Sequence, residues 1–122
     1  MKRSMEIIQY VLIGAIIVFI ILKMKPASGV RQLTTADLKK ELNDKNKQFI
    51  DVRTPMEFKG NHIKQFKNLP LATLHTETGK LSKEKEVVVI CQSGMRSNAA
   101  VKKLKKLGFT KVANVKGGMN AW

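Results

Sequence analysis

Residues 87–97 read VVVICQSGMRS, in which four apolar β-formers are followed by a polar turn and the start of a helical pattern. From Ser97 to Leu107 apolar residues then recur at helical spacing, which predicts a helix, and Gly108 stands where glycine commonly ends one. Strand, crossover helix and strand in this order build a parallel sheet that is covered by helices on both faces. Such sheets bind ligands at the carboxyl ends of their strands, which is where Cys91 lies. The segment therefore predicts an α/β fold with a site at Cys91.

Neighbouring segments extend this alternation of strands and helices. Thr34 or Thr35 is predicted to cap a helix, and residues 48–52 are short and apolar, as expected of a buried strand. Pro55 stands at the start of a brief helical turn. Residues 111–115 form one more predicted strand. We therefore expect a parallel sheet with helices on both faces.

Cys91 is the only cysteine in the chain. A glycine-containing turn before a helix directs backbone N–H groups and the positive end of the helix dipole at one point, which suits an anion or a thiolate. Arg96 adds a fixed charge with a fork of donors. Surroundings of this kind favour the thiolate of a cysteine over the thiol. An isolated cysteine at a strand end is more often inert, but the Gly, Ser and Arg that follow favour chemistry.

An apolar segment precedes the domain. Residues 7–22 carry no charge, and Gln9 is their only strongly polar residue. With its flanks the segment approaches the ~20 residues that cross a bilayer. A signal peptide is disfavoured because the run exceeds the usual ~7 to 15 apolar residues, lysines close it and no A-x-A site follows. A soluble core helix is disfavoured because the segment has no polar face. Residues 1–25 are predicted to be a transmembrane anchor that contacts the membrane through residues 7–22.

Basic residues flank the predicted anchor on both sides. Fewer of them precede it than follow it, and the positive-inside rule counts such residues near the ends of a span: Lys2 and Arg3 before, and Lys23, Lys25, Arg31, Lys39 and Lys40 after. This distribution predicts a single-pass protein of the cell membrane with its domain in the cytoplasm. A lone reactive thiol also suits a reducing compartment.

Residues 26–31 are predicted to be a linker, because Pro26-Ala27-Ser28-Gly29 is a cluster of helix breakers. The remaining residues, 32–122, suffice for one small domain with a single core.

The net charge of +14 is large for 122 residues. Such a field steers anionic substrates and attracts an anionic leaflet. Nucleic acid is disfavoured as a partner because the domain has few aromatic residues and no nucleic-acid-binding module. The lysines that follow the cysteine loop are expected to form a solvated helix face: Lys102, Lys103, Lys105 and Lys106.

Several separated motifs resemble those of single-domain rhodaneses, in the same order and at similar spacing. The likeness runs from about Val30 to the end of the chain. Its motifs are IDVRTP at 50–55, Glu57-Phe58, His62-Ile63, CQSGMRS at 91–97, Gly108-Phe109 and GGMNAW at 117–122.

The resemblance implies a rhodanese-like α/β domain that transfers sulfur. Cys91 would attack a sulfane sulfur of thiosulfate or a persulfide, carry it as a persulfide, and pass it to cyanide, a thiol or a protein acceptor. The substrate-binding residues would be those of the loop: Gln92, Ser93, Gly94, Met95 and Arg96. Arg96 would pair with the loop or with an oxyanion of the donor. The scheme requires no metal and no organic cofactor, because the thiolate does the covalent work.

Three further residues are expected to support the site structurally: Asp51, Arg53 and Ser97. A turn hydrogen bond and an ion pair between Arg53 and Glu57 would explain Asp51 and Arg53 without catalysis. His62 is interpreted as a loop hydrogen-bonder, since a persulfide mechanism needs no general acid or base.

The alternatives to sulfur transfer are a phosphatase and a non-catalytic adapter. Four residues separate Cys91 from Arg96, as in rhodaneses, whereas the related phosphatases have five, so a phosphatase is disfavoured. A non-catalytic adapter that binds an anion or persulfide at the membrane remains the alternative.

Overall fold

The computed structural model describes residues 2–24 and 29–122, which form an N-terminal helix and an α/β domain. Residues 1 and 25–28, which include half of the predicted linker at 26–31, lie outside the described residues. The strands are β1 (Arg31–Leu33), β2 (Lys47–Asp51), β3 (Lys67–Asn68), β4 (Glu86–Ile90) and β5 (Val112–Val115). The helices are α1 (Lys2–Met24), α2 (Thr35–Glu41), α3 (Pro55–Gly60), α4 (Leu74–Glu77), α5 (Met95–Lys106) and α6 (Gly118–Ala121), and 3₁₀ turns at Leu71–Thr73 and Thr78–Lys80 flank α4.

The five strands form one parallel sheet in the order β1-β5-β4-β2-β3. In its centre Ile50 of β2 pairs with Val89 of β4, and Val89 pairs with Asn114 of β5. Because all strands run in one direction, their carboxyl ends meet at one edge, where the turns after β2 and β4 lie side by side. The predicted parallel sheet is confirmed.

Helices cover both faces of this sheet, as the alternation along β4 requires. Val87 and Val89 pack on one face with Leu104 of α5 and Leu74 of α4. Val88 and Ile90 of β4 point to the other face, where they pack in one cluster with Leu38 of α2. Phe58 of α3 is partly buried and packs against this cluster. Two apolar layers therefore enclose β4, and its end is held rigidly.

Local sequence signals set the helix boundaries. Thr34 caps α2 in a capping box with Asp37, and Thr54 caps α3 in the same way with Glu57. Gly108 follows α5 with a φ of +97°. There the N–H of Phe109 donates to the carbonyl of Leu104, which closes the helix in a Schellman motif.

Three elements were not predicted: β1, β3 and α6. None has a local periodicity because they are only three, two and four residues long. β1 begins at Arg31, the last residue of the predicted linker. Helix α5 also begins earlier than the predicted residue 97, because Gly94 provides its N-cap at a φ of +103°.

Within the described residues, α1 is the one helix that is long and apolar enough to cross a bilayer. The segment Arg3–Lys23 has a mean hydropathy of 2.5 over its most apolar window, none of which is buried. Signal sequences and core helices of soluble proteins share this length and composition, and the exposed surface of α1 is unlike that of a core helix.

Candidate active site

Cys91 directly follows β4 and is 0% exposed. The hydrogen-bonded sheet and the core on both sides hold its Cα in place. After it, Gln92, Ser93 and Gly94 turn the chain into α5. The left-handed conformation of Gly94 makes this tight turn possible, because side chains are strained at such a φ. The thiol therefore lies beneath a short loop at the N-terminus of a 12-residue helix.

The sulfur of Cys91 has two polar contacts within this loop. The backbone N–H of Gly94 donates to Sγ at 3.0 Å, and the thiol lies 3.3 Å from the hydroxyl oxygen of Ser97, to which it donates. The Ser97 hydroxyl donates in turn to the carbonyl of Gly94 at 3.1 Å. With the positive end of α5 behind them, these groups suit a sulfur that becomes negative.

Helix α6 supports the loop after Cys91 through two backbone hydrogen bonds. The N–H of Met119 donates to the carbonyl of Cys91, and the N–H of Asn120 donates to that of Gln92, each at 2.9 Å. Gly118 has a φ of +55°, and a Cβ at this position would collide with the carbonyl oxygens of Cys91 and Gln92. Sequence reasoning missed this role, although the pair Gly117-Gly118 was a visible signal of a close backbone approach.

Arg96 makes a two-pronged ion pair with Glu57 of α3, with N–O distances of 2.6 and 2.8 Å. Its guanidinium therefore reaches across to α3, whereas the sequence predicted a pairing with the loop or with the donor. The hydrogen bonds from Arg96 lower the pKa of Glu57 to about 2. The same bonds raise the pKa of Arg96 above its usual value. The predicted ion pair between Arg53 and Glu57 is wrong, because the Glu57 carboxylate is occupied by Arg96.

Arg53 instead pairs with Asp51, and both side chains are almost fully buried. The Arg53 Nη2 to Asp51 Oδ2 distance is 2.8 Å, and the backbone N–H of Arg53 donates to Asp51 Oδ1 at 3.0 Å, which is the predicted turn hydrogen bond. Arg53 also donates to the side-chain oxygen of Gln92 at 3.2 Å. The buried pair thus connects the end of β2 to the loop after β4.

The match to known families agrees with this geometry. The model of the rhodanese-like domain matches residues 34–122. The chain belongs to the rhodanese-like family.

Relatives of this rhodanese-like chain include the uncharacterized protein YqhL of Bacillus subtilis, which is 41% identical over 75 residues. That match covers 62% of this chain and 60% of YqhL, so the chain spans less than two thirds of that relative. A sulfurtransferase of Allochromatium vinosum is 31% identical over 76% of this chain and 88% of its own length. The crystal structure of a rhodanese-like domain protein from Staphylococcus aureus superposes with a TM-score of 0.71 at 33% identity, covering 76% of this chain and 91% of that one.

The remaining loop side chains of this rhodanese-like domain point in different directions. Gln92 is held between Arg53 and Asn120, with its Nε2 donating to the Asn120 side chain at 2.6 Å. Ser93 and Met95 face the solvent, and Met95 is 64% exposed. Of the predicted substrate-binding residues, Gly94 contacts the Cys91 sulfur through its backbone N–H. The side chains of Gln92 and Arg96 are bound to other partners.

His62 lies outside the loop that follows Cys91. Its Nδ1–H donates to the carbonyl of Phe58 at 2.8 Å, and its ring stacks on that of Phe58, so it is a loop hydrogen-bonder as predicted. Across residues 2–24 and 29–122, no cluster of three or more His, Cys, Asp or Glu side chains is arranged to hold a metal ion.

Proposed function

We propose that this protein is a membrane-anchored sulfurtransferase that moves a sulfane sulfur through a Cys91 persulfide. The position of the Cys91 sulfur carries the proposal. It lies between the Gly94 N–H and the Ser97 hydroxyl at the N-terminus of α5, where a negative sulfur is stabilised before any substrate arrives.

In the first step the Cys91 thiolate attacks the outer sulfur of thiosulfate or of a persulfide. A new S–S bond forms to Cys91 while the old S–S bond breaks, and its electron pair leaves with sulfite or with a thiolate. The thiol proton has passed to solvent before the attack. The Ser97 hydroxyl, which accepts from the thiol, is then free to turn from the Gly94 carbonyl and donate to the thiolate.

In the second step a cyanide or thiolate acceptor attacks the outer sulfur of the Cys91 persulfide. The outer sulfur leaves with the acceptor, and the electron pair of the S–S bond returns to Cys91. Backbone N–H groups from Gln92 to Arg96 line the loop in which the outer sulfur of the persulfide would lie. Their dipoles do not reorganise during the reaction, which is how a rigid site lowers the barrier.

The proposed anchor is α1, with residues 7–22 in the bilayer and the domain in the cytoplasm. Its exposed apolar surface supports this assignment, since none of its most apolar window is covered by the domain. The larger number of basic residues after the helix supports the orientation.

The test is the intact mass of the purified full-length protein after incubation with thiosulfate and removal of excess reagent. A gain of about 32 Da, one sulfur atom, is expected for the parent protein and not for Cys91→Ser, which lacks the nucleophile. Cyanide should then return the mass to its starting value and release one equivalent of thiocyanate.

A mass gain that persists in Cys91→Ser would contradict the proposal. If neither thiosulfate nor a low-molecular-weight persulfide loads the parent protein, the sulfurtransferase proposal fails and the adapter alternative is favoured.

A further inference from the structure

The outward face of α5 is a basic surface that begins beside the sulfur-binding loop. Met95 and Ala99 are its exposed residues near the loop, and Lys102, Lys103 and Lys106 follow along the same side. Residues one, three and four positions apart lie side by side on a helix. We refer to Lys102, Lys103 and Lys106 as the basic face. The opposite side of α5 is buried in the core.

The charge of the basic face is not compensated within the domain. Residues 87–122 contain seven lysines and arginines and no aspartate or glutamate. Six acidic residues of the other segments form ion pairs with other partners, and among the described residues no acidic side chain forms an ion pair with the basic face. Concentrated like charge lowers the stability of a compact domain, and an external anionic surface relieves that repulsion.

The chain from α1 enters the domain beside this same helix. The ammonium group of Lys105 on α5 lies against Gly29, and Val30 packs onto the core cluster that α5 covers. Five Cα–Cα steps separate Met24, the end of α1, from Gly29, so these two residues are at most about 18 Å apart. A bilayer that holds α1 is therefore close to α5.

We propose that the basic face binds the anionic headgroups of the bilayer that α1 spans. This inference rests on the proposed anchoring. The attachment of the chain beside α5 favours lipid over nucleic acid as the partner. The outward side of α5 also presents no aromatic side chain on which a base could stack, since its exposed uncharged residues beside the basic face are Met95 and Ala99. Binding along α5 brings the Cys91 loop, at the other end of the helix, towards the membrane surface.

The test measures acetylation rates of individual lysines by mass spectrometry in the full-length protein. The protein is reconstituted into vesicles of phosphatidylcholine alone or with one quarter phosphatidylglycerol, at about physiological salt. We expect acetylation of the basic face to slow about fivefold in the anionic vesicles. Exposed lysines of α3, of β3 and of the segment between them serve as internal controls, and their acetylation should not slow: Lys59, Lys64 and Lys67. In 1 M salt the difference should vanish.

Two variants separate binding from a general effect of charge. Neutralising part of the face by Lys102→Gln with Lys106→Gln should remove the protection of Lys103. The matched control, Lys59→Gln with Lys64→Gln, changes the net charge equally and should leave Lys103 protected. Equal acetylation of Lys103 in both kinds of vesicle would overturn the inference.

Two further outcomes would also overturn the inference. The first is that a DNA duplex added to the neutral vesicles slows acetylation of the basic face while phosphatidylglycerol does not, which would assign the face to nucleic acid. The other is release of the full-length protein from vesicles by alkaline carbonate, which would refute the anchor and this inference together. If the protein stays in the vesicles in carbonate but the acetylation of its basic face does not slow, only the lipid contact is refuted. Sulfur loading of Cys91 is measured separately from the anchor and from the lipid contact.

Discussion

Replacement of Gly118 by alanine tests whether α6 holds the loop after Cys91 in place. The backbone of Gly118 passes so close to Cys91 and Gln92 that an added Cβ would meet both of their carbonyl oxygens. Neither oxygen belongs to a flexible side chain, so α6 or the loop has to move. The left-handed φ of +55° adds strain of its own in any residue with a Cβ.

The expected cost of Gly118→Ala has two parts. A left-handed conformation costs an alanine roughly 1–2 kcal/mol. If α6 moves, its two hydrogen bonds to the loop are weakened, at about 0.5–1.5 kcal/mol each. If α6 stays in place, the overpacking around the new Cβ costs a similar amount. We therefore expect a loss of about 2–5 kcal/mol, a large part of the stability of a domain this size. Persulfide loading should fall as well, because the carbonyls that shift belong to the loop itself.

The assay is urea unfolding of the full-length protein in mild detergent, followed by fluorescence of Trp122. This is the only tryptophan of the chain, and it packs against Lys39 of α2, so its emission reports on the domain and not on α1. With a slope near 1.5 kcal/mol per molar urea, a loss of 3 kcal/mol lowers the midpoint by about 2 M.

Two control variants separate the backbone strain of a positive φ from the collision of the added Cβ with the carbonyl oxygens. Gly108→Ala has a φ of +97° but meets only the flexible end of Lys83, so it reports the backbone strain alone. Gly79→Ala has open space around it and should change stability by less than about 0.5 kcal/mol. If Gly118→Ala costs no more than Gly108→Ala and loads sulfur normally, the reasoning about α6 is refuted.

Three other variants test separate parts of the structure. Ser97→Ala removes the hydroxyl beside the thiol and should slow persulfide loading by about 10-fold or more, as one hydrogen bond to a charged group predicts; loading at the parental rate would exclude the role of the hydroxyl. Glu57 has a folded pKa of about 2, below its usual 4.5, so its contribution is present above pH 4.5 and is lost as the pH falls towards 2. Because the side chains of Arg96 and Glu57 are about one-third exposed, solvent screens their ion pair, and Glu57→Gln should lower the free energy of unfolding by only about 1 kcal/mol at pH 7. At pH 2 the same substitution should cost almost nothing in the same urea assay. An equal cost at both pH values would contradict this linkage. Leu104→Ala empties a fully buried position and should cost about 2–5 kcal/mol; a cost below 1 kcal/mol would mean that α5 does not seal this core.

The sequence by itself determined the elements with strong local signals. The apolar run before Cys91, the helical period after it and Gly108 at the end of that helix are short-range patterns, and each predicts its element without help from the rest of the chain. The cap at Thr34 or Thr35 and the proline at position 55 likewise predict helix starts, because these signals act within a single turn. The position of Cys91 at the carboxyl end of a strand followed from these signals alone.

Only the tertiary structure decided which groups surround that cysteine. Glu57 is 39 positions from Arg96, and Asn120 is 28 from Gln92, so no local pattern records these pairings. The error over Arg53 has the same origin: Glu57, four positions further along the chain, was its expected partner, whereas the fold brings Arg96 to the Glu57 carboxylate. The support of the loop by α6 also arises from folding, because it depends on two backbone segments meeting where only a glycine leaves room for them. Interactions between residues close in sequence specify strands, helices and turns. Contacts between distant segments form only once the sheet has brought the ends of β2, β4 and β5 to one edge.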